Sequence, residues 1–147
     1  MAVPTGSGTE TLHSHLFEDV DAAQNLIVGV QHHVYTVLSV IVYANVLNAT
    51  ADYGYLRMVV YDNHGGASAQ EIFIARFNIQ VGETFVWNDK FSFNGYEPTG
   101  TDVFSTAAHQ TANAAQAGSA AQVFQFSCTH ATDDFDVIVT YLDQDWT

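Results

Sequence analysis

A two-residue alternation of apolar and polar side chains is the feature that most constrains the fold of this chain. It is longest in VYTVLSVIVYANV, residues 34–46. The apolar even-numbered positions there are Val34, Leu38, Val40, Val42 and Val46, and the odd-numbered ones include Tyr35, Ser39, Tyr43 and Asn45. A period of two puts alternate side chains on opposite faces of a β-strand. The stretch is therefore predicted to be a long strand with Leu38, Val40 and Val42 in the core.

The same alternation predicts four further strands. Their inward side chains are expected to be Leu56, Met58 and Val60; Phe73, Ala75, Phe77 and Ile79; Phe124, Phe126 and Cys128; and Phe135, Val137, Val139 and Tyr141. Turn-forming stretches such as NATADYG, DNHGG, QVGE and NGYEPTG close the runs. Because a meander of this length needs a second sheet to cover its apolar side, we expect an all-β fold, an antiparallel two-sheet β-sandwich of jelly-roll-like or immunoglobulin-like type.

Two segments show no such pattern. The lead, residues 1–24, is rich in Gly, Ser, Thr and His without a sustained period, and it predicts an N-terminal arm ahead of a sandwich domain at residues 25–147. The stretch STAAHQTANAAQAGSAAQ, residues 105–122, predicts a small-residue insertion that acts as a loop or subunit contact. The residues expected to contact partners are Leu12 and Phe17 in the arm and Ala107, His109, Ala112 and Ala115 in the insertion.

The charge excludes some classes of partner. The chain has sixteen acidic residues and only three basic ones, Arg57, Arg76 and Lys90, so its formal net charge is -13. Such a chain repels polyphosphates and anionic surfaces, so no nucleic-acid partner is expected. No stretch reaches the roughly 20 apolar residues that span a bilayer, so no membrane association is expected either. Its single cysteine, Cys128, cannot form an internal disulfide.

The sequence contains no clear pattern of metal or cofactor ligands. His13 and His15 would point the same way on a strand, but a zinc site needs three or four protein ligands. His32 and His33 would point to opposite faces. We therefore expect no bound metal or cofactor.

Catalytic patterns are equally weak. The chain has no GxSxG elbow, and Cys128 falls on an apolar strand face, where it is expected to be a core residue. The acids Asp133, Asp134 and Asp136, and likewise Asp143 and Asp145, could imitate a calcium site or a glycosidase pair. Asp134 and Asp136 alternate with Phe135 and Val137, which is typical of the solvent-exposed face of an edge or outer strand. The protein is not expected to be an enzyme.

The stretch FVWNDKF leaves two interpretations of Trp87. Alternation places Phe85 and Trp87 on one face, which favours an inward-packing strand. The other interpretation is an exposed aromatic platform for a sugar ring.

Three motifs carry a resemblance to a known group. HHVYTVLSVIVYANV, ETFVWNDKFSF and DFDVIVTYLDQDW resemble strands of small β-sandwich virion structural proteins, capsid decoration-like, from marine and cyanobacterial tailed bacteriophages. The resemblance covers roughly residues 30–146, and the long lead and the small-residue insertion depart from it. It implies a structural part of the particle with no catalytic residues.

This resemblance sets the functional expectation. We expect a capsid decoration (cement) protein that binds the major capsid protein on the head surface of the virion and stabilises the shell. A homo-oligomer is expected, a trimer in particular, because shell accessory proteins often occupy threefold positions. The alternative is a tail or fibre module that binds host carbohydrate through Tyr53, Tyr55, Trp87 or Trp146.

Overall fold

A computed structural model describes residues 9–61, 69–96 and 120–145. The strands in these ranges are β1 (Thr9–Val20), β2 (Gln24–Val28), β3 (His33–Val46), β4 (Gly54–Tyr61), β5 (Ala69–Phe77), β6 (Thr84–Trp87), β7 (Phe91–Asn94), β8 (Val123–Cys128) and β9 (Asp134–Asp145). None of the described residues forms a helix long and apolar enough to cross a membrane.

The strands form two antiparallel sheets. Sheet A has the order β1-β9-β3-β6, with β7 also paired to β3, and sheet B has the order β2-β8-β4-β5. Aromatic rings join the two sheets: Phe126 and Phe135 lie 5.2 Å apart, and Phe91 and Phe124 lie 5.4 Å apart, both edge to face. The predicted all-β sandwich is confirmed.

The core fills the space between the sheets. Its completely buried side chains include Val37, Val40, Val42, Leu56, Phe124, Phe126, Phe135, Val137 and Val139. The inward faces predicted for β4, β8 and β9 are confirmed, because these strands keep an unbroken alternation.

Strand β3 departs from its prediction at Leu38. The pairing of β3 with β9 shifts register between Val37 and Ser39, which is the mark of a β-bulge. The extra residue reverses the alternation, so Tyr35 and Val37 are buried before the bulge, and Val40 is buried after it. Leu38 is only half-buried, and its assignment to the core was wrong.

A similar shift changes β5. The partner of Leu56 is Ala75, whereas the partner of the next residue, Arg57, is Phe73. Phe77 stays buried, but Phe73 is turned outward and is 58% exposed. The prediction that Phe73 faces the core was therefore wrong.

The lead is the third departure. The sequence predicts an arm up to residue 24, but Thr9–Val20 is a twelve-residue edge strand that pairs with β9. The usual pattern is inverted in β1, because its histidines lie on the inner side while Leu12 and Leu16 are exposed. Because of this inversion, the two-residue alternation of β1 was not recognised in the sequence. Residues 1–8 and most of the predicted insertion, residues 105–119, lie outside the described ranges.

Candidate functional site

The outer side of sheet A carries a continuous row of apolar side chains. Leu16 pairs with Ile138, Ile138 with Ile41, and Ile41 with Val86, so the row crosses β1, β9, β3 and β6. Leu16 is 55% exposed and Val86 is 53% exposed. Four adjacent strands make this row roughly 14 Å long.

The residues on one side of this row are uncharged, and on its other side Asp136 lies two residues from Ile138 on the same face of β9. A second row along the sheet contains the paired Leu12 and Leu142. Between the two rows, Ser14 and Thr140 form a hydroxyl pair with their oxygens 3.2 Å apart. We call the two rows and the hydroxyl row between them the sheet A face. In a chain with a net charge of -13, apolar rows that cross the strands without a charged residue form a surface suited to contact with another protein.

The predicted partner residues are divided by the structure. Leu12 lies on the sheet A face and is 65% exposed. Phe17 lies on the inner side of β1 and packs against the core, so its side chain is directed away from that face. Ala107, His109, Ala112 and Ala115 lie outside the described residues.

The outer side of sheet B carries an aromatic pocket. Tyr53, Tyr55, Phe73 and Arg76 line a concavity of about 250 Å³. The rings of Tyr53 and Tyr55 lie 5.9 Å apart, and Tyr55 meets Phe73 edge to face at 5.3 Å. Sequence reasoning named the two tyrosines but missed Phe73 and Arg76. Recognising Phe73 required the register shift in β5, and recognising Arg76 required its pairing with Tyr55 across β4 and β5; the sequence signals neither.

The two tryptophans do not join this pocket. Trp87 pairs with Val40 on the inner side of sheet A and packs against the core. Its indole Nε1 is buried and has no hydrogen-bond partner among the described residues. This arrangement agrees with the inward-packing interpretation of Trp87. Trp146 lies outside the described residues.

Histidines and acids meet at one end of sheet A. His33 Nδ1 lies 2.7 Å from Asp143 Oδ1, and His13 Nε2 lies 3.9 Å from Asp143 Oδ2. The His13 ring stacks on Tyr141 at 5.0 Å. Burial, followed by the charge of Asp143, raises the pKa of Tyr35 to about 12 and also raises the pKa of Tyr141. Asp143 thus links β3 to the central strand β9 through its hydrogen bond with His33.

The two histidines of the HSH motif share one side of a strand, as predicted. His13 and His15 lie on the same side of β1, with their rings stacked at 5.7 Å. Within the part of the chain that the structure describes, the potential metal-binding group is instead Asp19, Asp134 and Asp136, whose carboxylates lie within 4.8 Å of one another. These acids lie at the bulge between β1 and β9, where the Asp19 amide donates to Asp136 Oδ1 at 3.2 Å.

Asp133 and Cys128 are both buried. Asp133 is 1% exposed. Its carboxylate accepts hydrogen bonds from the backbone amides of Asn48 and His130. Cys128 lies in the core as predicted. Burial and the nearby Asp133 charge raise the pKa of its thiol to about 11, which keeps it protonated at neutral pH.

The comparisons with known proteins find likeness only in structure. No protein-family model matches the chain, and no curated protein sequence matches it. It is similar to a chain of Bacillus endospore appendages, described as disulfide-linked pili, at 8% identity and a TM-score of 0.43, covering 100% of this chain and 97% of that one.

Two chains of infectious bursal disease virus are also similar. The chain from the Gx strain matches at 5% identity and a TM-score of 0.41, covering 93% of this chain and 29% of that one. The chain from the T13 particle matches at 6% identity and a TM-score of 0.41, covering 96% and 36%. This chain thus spans about a third of the viral chains that it matches. TM-scores below 0.5 at such identities assign no function.

Proposed function

We propose that this chain is a virion structural protein, a capsid decoration (cement) protein that attaches to the head shell of a tailed bacteriophage. The observation that carries the proposal is the sheet A face. The motifs that resemble small phage virion proteins provide the class of particle.

The physical argument starts from exposed apolar area. Burying one Leu, Ile or Val side chain completely contributes about 1.5 to 3 kcal/mol. Leu16 and Val86 each leave more than half of their area exposed, and Ile138 leaves 37%. Covering the row therefore contributes several kcal/mol to attachment. An uncovered apolar sheet face also promotes aggregation, which favours a permanently covered one.

The partner that fits this face is a protein of the shell. A nucleic acid or a charged polysaccharide would find no charged group along either apolar row, whereas a shell protein can match apolar area with apolar area. We assign the major capsid protein to the sheet A face. Homo-oligomerisation, with a trimer at threefold positions, is part of the proposal and uses other surfaces.

Two valine variants provide the test. Val86 on the sheet A face and Val28 on β2 of sheet B are both 53% exposed, so Val86→Asp and Val28→Asp form a matched pair. We expect Val86→Asp to weaken binding to particles at least about tenfold, because the carboxylate would be buried without a partner. Val28→Asp should bind like the parent. Binding is measured as occupancy on particles depleted of the protein, and light scattering reports the mass of the free protein.

Two results would contradict the assignment. Equal occupancy for Val86→Asp and the parent would show that the sheet A face is not the attachment surface. A loss of homo-oligomer in Val86→Asp would show that the face joins copies of this chain instead of joining the chain to the shell.

A second candidate function is a tail or fibre module that binds host glycan. The observation that favours it is the pairing of Tyr53 and Tyr55 in a concave pocket with Phe73. Aromatic rings at the surface of a rigid sheet offer the flat apolar area on which a sugar ring stacks. Binding of soluble oligosaccharide to the free protein, lost in Tyr55→Ala, would support this candidate; binding that persists in this variant would contradict it.

A further inference from the structure

The aromatic pocket of sheet B contains a positive group in an otherwise acidic protein. Arg76 is one of only three cations in the chain. Its guanidinium carbon lies 3.5 Å from the centroid of the Tyr53 ring. Stacking at this distance fixes the plane of the guanidinium and leaves its N–H edge available for hydrogen bonding.

Arg76 differs from Arg57, the other cation beside the pocket. Arg57 Nη1 forms an ion pair with Glu71 at 3.0 Å, and its Nε donates to Gln125 at 2.9 Å. Arg76 is exposed and makes no ion pair within the described ranges. The positive charge of Arg57 is therefore used inside the protein, whereas that of Arg76 is presented at the pocket.

We infer that this pocket binds a sugar ring that carries a carboxylate, such as a uronic acid unit of an acidic polysaccharide. Tyr55 and Phe73 supply aromatic area for the C–H face of the ring. Arg76 supplies the paired N–H donors that a carboxylate accepts with good geometry. The inference rests on the glycan-binding candidate function and names its ligand class.

The net charge of -13 acts against an anionic ligand, but in physiological salt this repulsion is short-ranged. The Debye length at 0.15 M ionic strength is about 8 Å, so charges farther away on the surface are largely screened. Glu71, which lies on the same strand as Phe73, is held by Arg57. Among the described residues that line the pocket, the charged one is Arg76.

Titration calorimetry of the full chain with trigalacturonate, and with a neutral galactose trimer as a second probe, tests the inference. We expect trigalacturonate to bind about tenfold more tightly than the neutral trimer, which corresponds to one charge-assisted contact. Arg76→Ala should reduce the affinity for trigalacturonate to that for the neutral trimer. Phe73→Ala should weaken the binding of both.

Lys90→Ala is the matched control, because it removes the same charge from an exposed position outside the pocket. It should leave both affinities unchanged. Equal affinity for the two trimers would overturn the carboxylate assignment while leaving the glycan-binding candidate standing. Binding of neither trimer would overturn both. An aspartate-rich peptide that binds as well as trigalacturonate, with no effect of Phe73→Ala, would show an acidic protein segment as the occupant and would also overturn the inference.

Discussion

Removal of the buried carboxylate of Asp133 is expected to loosen two loops at once. Asp133 Oδ1 accepts the amide N–H of Asn48 at 2.8 Å, and Oδ2 accepts that of His130 at 3.1 Å. The Asp133 amide in turn donates to the His130 carbonyl at 3.0 Å. One side chain thus ties the segment after β3 to the turn before β9.

The magnitude follows from these bonds. Each hydrogen bond to a charged group contributes about 1.5 to 3 kcal/mol, and Asp133→Ala leaves two amides without an acceptor. Because the loops can open slightly to water, we expect the lower end, about 3 kcal/mol of lost unfolding free energy. At about 2 to 4 °C per kcal/mol for a domain of this size, the melting temperature should fall by roughly 6 to 12 °C.

Urea unfolding followed by circular dichroism measures this change, with Asp136→Asn as the control. Asp136 belongs to a cluster of three carboxylates, so neutralising it should change stability by no more than about 0.5 kcal/mol. Asp133→Asn keeps one acceptor oxygen and should fall between the two variants. An Asp133→Ala protein that unfolds at the same urea concentration as Asp136→Asn would refute the role of this carboxylate.

Two further predictions concern the core. Val37→Ala should reduce the unfolding free energy by about 2 kcal/mol and Leu38→Ala by about 1, because only Val37 is fully buried; the reverse order in urea unfolding would contradict the bulge. Stability should also fall as pH rises from about 9 to 12, since the pKa values of Cys128 and Tyr35 are raised from 9.0 to about 11 and from 10.0 to about 12. Both groups ionise more readily in the unfolded chain, so their contribution is complete below pH 9. Cys128→Ala should flatten the lower part of this decline, and an unchanged slope would contradict the assignment.

Much of the fold could be predicted from alternation, and the errors in β3 and β5 have one physical cause. Strands β4, β8 and β9 have an unbroken period, and their inward residues were predicted correctly. A bulge adds one residue and reverses the faces beyond it, which misplaced Leu38 in β3 and Phe73 in β5. Bulges arise from pairing with a neighbouring strand, so the sequence of one strand does not reveal them.

The edge strand β1 was not recognised in the sequence, for a different reason. Its inner side carries His13 and His15, while its outer side carries Leu12 and Leu16. Sequence analysis assumed that apolar residues are buried. Under that assumption, a strand with histidines on its inner side and leucines on its outer side looks like an irregular polar segment.

The candidate sites show the same limit. Tyr53 and Tyr55 were recognised as aromatic contacts, but their grouping with Arg76 depends on pairing across β4 and β5. Asp133 and Asp136 look alike in the sequence, yet one is buried against two backbone amides and the other belongs to an acidic cluster. Every residue except proline has a backbone amide, so the residue types do not show which loop amides will bind a carboxylate. This difference could therefore not be predicted.

Attachment to the shell through the sheet A face is tested most directly by cryo-electron microscopy of the intact particle, at a resolution that traces the strands. The expected result is a copy of this chain on the head surface, with Leu16, Ile138 and Val86 packed against the major capsid protein. The pocket around Tyr53 and Tyr55 on sheet B should then face away from the shell. A chain located on the tail, or a head-bound chain with the sheet A face open to solvent, would contradict the proposed function.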